Sequence, residues 1–207
     1  MHTSFLTFGI VMLLGAMLPG ADFAFVTKNS LLHSRKAGIY TALGIGAGMC
    51  IHMTYCVLGL AVIIRQSSWL FHGIQYAGAL YLVYLSIMLL KPHFISDIET
   101  TDTRIAPDNL SAAKAFQQGF ICNLLNPKAT LFFLTLFSAI STTNTSIWLN
   151  LTYALEAVLI ALLWFCSLAY LVSHQRVTSW LDRSQRTIEK ILGFLLLSLA
   201  VFVVFWS

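Results

Sequence analysis

The feature that most constrains this chain is a series of long apolar runs. Five of them, at positions 5–27, 37–64, 68–90, 115–140 and 147–173, are 23 to 28 residues long, and a sixth at 191–206 reaches the end of the sequence. At about 1.5 Å per residue, a helix of that length crosses a hydrocarbon core of about 30 Å with some tilt. The runs are too long for membrane strands and do not alternate, so they read as helices. The sixth, with 16 residues after Lys190, is the shortest, and Ile188 and a snorkelling Lys190 can lengthen it. No Lys or Arg precedes the first run and no small-residue cleavage site follows it, so it reads as a retained span. Composition agrees: 58% of residues are hydrophobic and 10% charged, with a mean hydropathy of +0.80. That is too little charge to cover a soluble surface, which excludes a soluble enzyme, a disordered chain and a nucleic-acid-binding domain. The expected fold is an all-α membrane protein with six transmembrane helices.

Charge gives the orientation. The connections after spans 1, 3 and 5 hold Lys28, Arg35, Lys36, Lys91, Arg104, Lys114, Arg176, Arg183, Arg186 and Lys190, whereas the opposite side holds only Arg65. Basic residues collect on the cytoplasmic side, so both termini are expected to be periplasmic. The pI near 9.0 is thus topological and implies no nucleic-acid partner. The connection 91–114 holds four of the eight acids and two of the four prolines. It reads as a linker, about 92–112, between repeats at about 1–91 and 113–207 of one transmembrane domain. Three spans per repeat put the second repeat in the opposite orientation, so related halves would be inverted repeats, a plan common among secondary transporters.

The other two prolines, Pro19 and Pro127, are the fifteenth residue of span 1 and the thirteenth of span 4. Each removes a backbone donor and frees a carbonyl that lipid cannot satisfy. They read either as packing kinks or as helix breaks that build a site; matched depth in matched spans, with polar neighbours Gly20 and Asp22 or Asn126 and Lys128, favours a site. Three charges lie within spans: Asp22, Lys128 and Glu156. Each costs about 2.5–3.5 kcal/mol at a helix centre on insertion scales, so each is expected to face a cavity or a partner. Lys128 can alternatively snorkel or pair with one of the acids, and Asp22 can cap a half-helix that starts after Gly20. Glu156, ten residues into span 5, has neither explanation.

In span 2, Gly44, Gly48, His52, Cys56 and Gly59 fall on one helical face, a pattern that permits close helix packing. His52 reads as a satisfied core histidine or as a proton relay. The cysteines Cys50, Cys56, Cys122 and Cys166 form no metal-ligand pattern and read as small core hydrophobes.

Leu18-Pro-Gly-Ala-Asp22 resembles the PGPD motif of the LysE/RhtB family of bacterial amino-acid exporters. Ser34-Arg-Lys-Ala-Gly38, Gly44–Gly48, Gly78-Ala-Leu-Tyr-Leu82, Gly119, Asn126-Pro-Lys128 and Ile188-Glu-Lys-Ile-Leu-Gly193 fit in order, across nearly the whole chain. Glu156 and Asp22-Phe-Ala-Phe-Val resemble the threonine and homoserine branch. Ala21 replaces the second proline of the motif, and Ser86 stands where a glycine is usual. The resemblance implies export of a small amino acid across the bacterial inner membrane, coupled to protons. Pro19, Gly20, Asp22, Asn126, Pro127, Lys128 and Glu156 are then the expected substrate-binding residues. Half-helix N-termini and Lys128 would meet the carboxylate, and Asp22 or Glu156 the ammonium. Asp22, Glu156 and His52 are the candidates for carrying the proton.

Three other classes are weighed against this. An integral-membrane enzyme would need a nucleophile with a base or a metal cluster, and neither GxSxG nor HExxH occurs. A haem or metal-binding module would need paired histidines, and only His52 and His72 lie within spans. A cation or heavy-metal exporter would use Asp22 and Glu156, yet no Cys or His adjoins them in sequence. No cofactor is therefore expected; the partners are the substrate, protons and lipid, and a homo-oligomer stays open.

Overall fold

The computed structural model describes residues 5–91, 110–141, 145–172 and 175–206. Among them are eight helices and no strand: α1 (Phe5–Met17), α2 (Ala21–Leu32), α3 (Arg35–Gln66), α4 (Ser68–Leu90), α5 (Ala112–Leu124), α6 (Pro127–Ile140), α7 (Ile147–Val172) and α8 (Gln175–Trp206). Most of the expected linker, residues 92–109, lies outside the described residues.

Among the described residues, three helices are long and apolar enough to cross a membrane: Arg35–Gly59 within α3, Trp69–Leu90 within α4, and α7. The pairs α1–α2 and α5–α6 each pass as one bent span, at 60° and 58°, which makes five. At 12 to 14 residues, each half-helix is about 18–21 Å long and too short to cross alone. The sixth run, 191–206, forms the C-terminal half of α8. The stretch before it, expected as a connection, is instead helical from Gln175 onward. There Arg186 donates to the carbonyls of Lys91 and Leu90 at 2.6 and 3.2 Å, closing the C-terminus of α4, and pairs with Glu189 at 3.5 Å. A basic residue read as a topology signal thus also caps a helix.

Helix α3 is the central element. It buries 56% of its most apolar window, against 33% for α4 and for α7, and it packs on α2, α5, α6 and α7. Its small-residue face explains why. A Cβ on Gly44 would lie 2.0 Å from the Phe116 carbonyl oxygen of α5, and one on Gly119 would lie 2.0 Å from that of Thr41. Only glycine lets these two backbones touch. The face continues through buried His52 and Cys56, but Gly59 meets nothing, so the stripe ends a turn early. Cys50, expected in the core, is exposed.

On the far side α4 packs against α8. Ser86, the departure from glycine, donates to the Gly193 carbonyl at 2.8 Å from a fully buried position. Outward-facing Leu80, Leu155, Leu163, Phe194 and Phe205 are each at least 60% exposed. Such a surface is incompatible with water and suited to lipid; the chain is a multi-pass membrane protein.

Candidate functional site

The two breaks meet, and each supplies what the other lacks. At the first, α1 ends at Met17 and α2 begins at Ala21. Pro19 has no N–H and the Leu18 N–H turns back to the Gly15 carbonyl at 3.3 Å, so α1 stops there and the Leu18 and Pro19 carbonyls lie in the break without a helical partner. Lys128, from the second break, fills the gap: its Nζ donates to the oxygens of Leu18 and Pro19 at 3.2 and 3.0 Å. The cation thereby also sits at the negative end of the α1 dipole. Gly20 is extended at φ 174°, a conformation open to any residue. What glycine gives here is room, because a Cβ would lie 2.9 Å from Lys128 Nζ and the flexible lysine would have to shift.

The second break is capped by its own sequence. Asn126 is the N-cap of α6, its Oδ1 accepting from the Lys128 backbone N–H at 3.0 Å, with Pro127 in the first turn. Asn126 has a second duty. Its Nδ2 donates to Asp22 Oδ2 at 3.2 Å, beside Asn123 Nδ2 at 2.9 Å, and Cys122 Sγ lies 3.5 Å from Oδ1. The acid of the first break is therefore held by amides of the second, and the cation of the second by carbonyls of the first. Asp22 makes no side-chain cap, and Lys128 and Asp22 form no ion pair.

Helix α3 braces this arrangement from behind. His52 Nε2 lies 3.0 Å from the Asn123 carbonyl oxygen and its Nδ1 bonds the Tyr55 hydroxyl. A carbonyl only accepts, so Nε2 carries the hydrogen and Nδ1 accepts from Tyr55. Tyr55 also reaches the Thr130 side chain on α6. His52 has both ring nitrogens partnered and is 1% exposed. A Cβ on Gly48 would lie 2.9 Å from Asn123 Oδ1, so the brace depends on that glycine.

A cavity of about 40 Å³ lies between the breaks. Its polar wall is Gly20, Asp22, Asn123, Asn126 and Lys128; its apolar wall includes Met12, Met49, Phe132 and Phe165. The N-terminus of α2 opens onto it, since Gly20 cannot cap. A water needs about 10–15 Å³ on this measure, so the cavity holds roughly three waters and no larger guest unless the walls move. The ring of Phe132 fills the space left by Gly15, where a Cβ would come within 2.2 Å of it.

Glu156 is not among the residues lining this cavity. It lies under α1, where a Cβ on Gly9 would come within 2.8 Å of its Oε1. Its Oε2 is buried and has no hydrogen-bond partner among the described residues. No group of three His, Cys, Asp or Glu side chains converges among those residues.

The profile of the LysE type translocator family matches residues 13–206, both breaks included. The chain belongs to that family. It is 33% identical over 192 residues to the uncharacterized membrane protein YrhP of Bacillus subtilis, covering 89% of this chain and 90% of that one. It is 30% identical over 189 residues to the threonine efflux protein of Escherichia coli K12, covering 86% and 89%. The uncharacterized membrane protein YahN of the same organism is 28% identical over 193 residues, covering 93% and 85%. No solved structure matches. Family and relatives point to a transporter rather than an enzyme.

Within this translocator, Pro19, Gly20, Asp22, Asn126, Pro127 and Lys128 converge as the sequence suggests, and Glu156 stands apart. Lys128 neither snorkels nor pairs with an acid. Two further members, Cys122 and Asn123, are read from sequence as core and not at all. Their signal is the spacing Asn123-x-x-Asn126, which puts two amides on one side at the end of an apolar helix.

Proposed function

We propose that the protein exports a small zwitterionic amino acid, of the threonine or homoserine kind, from the cytoplasm across the bacterial inner membrane in exchange for protons. One observation carries this reading: a carboxylate and an ammonium line the same cavity without pairing, each held by neutral groups. That is the arrangement a zwitterion needs, because its ammonium can join Asp22 while its carboxylate draws Lys128 off the Leu18 and Pro19 oxygens. The open N-terminus of α2 adds donors to the carboxylate side. A divalent cation, in contrast, would be repelled by Lys128. Methionine and phenylalanine walls suit a short side chain, and a relative named as a threonine efflux protein agrees in class.

The architecture we propose is six spans in two inverted repeats, with both termini periplasmic. It is supported by bends of 60° and 58° at corresponding places, and by the packing of α3 on α7 and α4 on α8, each joining equivalent spans. Substrate binding opens the clamp between the breaks, and the halves rock about it. The test is flux from proteoliposomes loaded with labelled threonine, homoserine and a panel of amino acids under an imposed pH gradient. Efflux of a small amino acid above empty liposomes is expected; absence of flux for the whole panel refutes the reading.

A further inference from the structure

We propose that Glu156 is a proton-binding site separate from the substrate cavity, set in the seam between α1 and α7, and that α1 links the two. The inference rests on the transport reading above and assigns a task that the sequence left open among Asp22, Glu156 and His52.

The two carboxylates have opposite surroundings. Asp22 accepts from two amides and a thiol and shares its cavity with a lysine. Glu156 has none of these. The residue is half-buried, but its Oε2 is shut away without a hydrogen-bond partner among the described residues, and Oε1 lies against the backbone of Gly9. Helix α1, packed over it, contains no Asp, Glu, Lys, Arg or His. On α7 the titratable neighbour is Tyr153, one turn away. Among the groups on the other elements packed against α7, Asp22 and His52 are engaged with Asn123, Asn126 and Tyr55. A bare carboxylate in so apolar a place is very costly, and the neutral acid is the form that fits.

The seam leads to the cavity. Ala161 and Phe165 of α7, with Met12, Gly15 and Ala16 of α1, form its wall. Ala161 is five residues from Glu156, about 7.5 Å along the helix. Glu156 also lies nearer the 147 end of α7, the periplasmic end in the proposed orientation. The coupling element is α1 itself. Lys128 holds the Leu18 and Pro19 carbonyls just beyond its C-terminus, and Gly9, about two turns back, covers Glu156. When the substrate carboxylate takes Lys128, α1 is released and can lift from α7, admitting water to the carboxyl. Uptake adds one proton from water to the carboxylate; release returns it to water on the cavity side, with no other bond changed.

Two measurements test this. Infrared spectra of purified protein at neutral pH should show the carbonyl band of a protonated carboxyl. The band should shift on labelling with carboxyl-13C glutamate, persist in Asp22→Asn and vanish in Glu156→Gln. In proteoliposomes, Glu156→Gln should lose accumulation driven by a pH gradient yet keep exchange of labelled for unlabelled substrate, whereas Asp22→Asn should lose both. Absence of the labelled-glutamate band from the wild type overturns the proposal without any variant. So does a monodisperse Glu156→Gln protein that couples normally, or one that loses exchange as well. A glutamate band in a protein that moves no amino acid would support the proton site and refute the substrate reading instead.

Discussion

The two helix breaks bend by nearly the same angle, 60° and 58°, and reach it by different chemistry. The second is self-sufficient: Asn126 caps α6, Pro127 starts it, and Leu125 and Asn126 close α5 through their own N–H groups. The first closes α1 only through the Leu18 N–H on the Gly15 carbonyl, at 3.3 Å, and has no side-chain cap for α2, an extended Gly20, and Leu18 and Pro19 carbonyls that depend on Lys128. The second break is therefore the fixed frame, and the first takes its shape from it. Ala21, where the family motif has a second proline, removes one more local constraint from the side that already relies on its partner. A substrate that competes for Lys128 thus acts on the break least able to hold itself.

The substitutions that probe this asymmetry can be ranked. Asp22→Asn should have the largest effect. A hydrogen bond to a charged group contributes about 1.5–3 kcal/mol, so substrate affinity should fall roughly 10- to 100-fold in equilibrium binding. Lys128→Gln should follow, weakening binding roughly tenfold and loosening the first break while sparing the second. Faster amide exchange in α1 than in α6 would show this, and equal loosening would remove the asymmetry. Gly20→Ala should act as a mild version of Lys128→Gln, because its methyl displaces the ammonium without straining the backbone. Asn126→Ala should cost about 1 kcal/mol of stability as a lost cap, read as a lower melting temperature, with its effect centred on the second break. Smallest is Ser86→Ala, remote from both breaks, which should lose about 1 kcal/mol or less and leave transport parameters unchanged.

Much of this was legible in the sequence, for reasons that are local. A hydrocarbon solvent permits few backbone solutions, so apolar run length alone gave helices and their approximate ends. Proline has the same effect in any context, so the breaks could be placed at Pro19 and Pro127. The cost of charge in lipid singled out Asp22, Lys128 and Glu156. Where the reading stopped short, the cause was distance along the chain. Asn123 and Cys122 are about a hundred residues from Asp22, and the spacing Asn123-x-x-Asn126 does not say which distant side chain the two amides will face. Gly59 belonged to a periodic face whose extent depends on the helix packed against it, and Cys50 was read as core from its apolar neighbours alone. The polar stretch before residue 191 looked like a connection because its contacts, Leu90 and Lys91, lie on another helix.

The sequence by itself therefore determined the solvent, the apolar helices, the places where two of them are interrupted and the three costly charges. Each follows from the chemistry of a residue and its near neighbours. Only the tertiary structure decided how those charges are used. It placed Lys128 on the Leu18 and Pro19 carbonyls rather than on an acid, gave Asp22 its amides, and left Glu156 alone beneath Gly9. The physical reason is that a buried charge takes whichever partner packing brings within about 3 Å, and that choice is made between helices far apart in the chain.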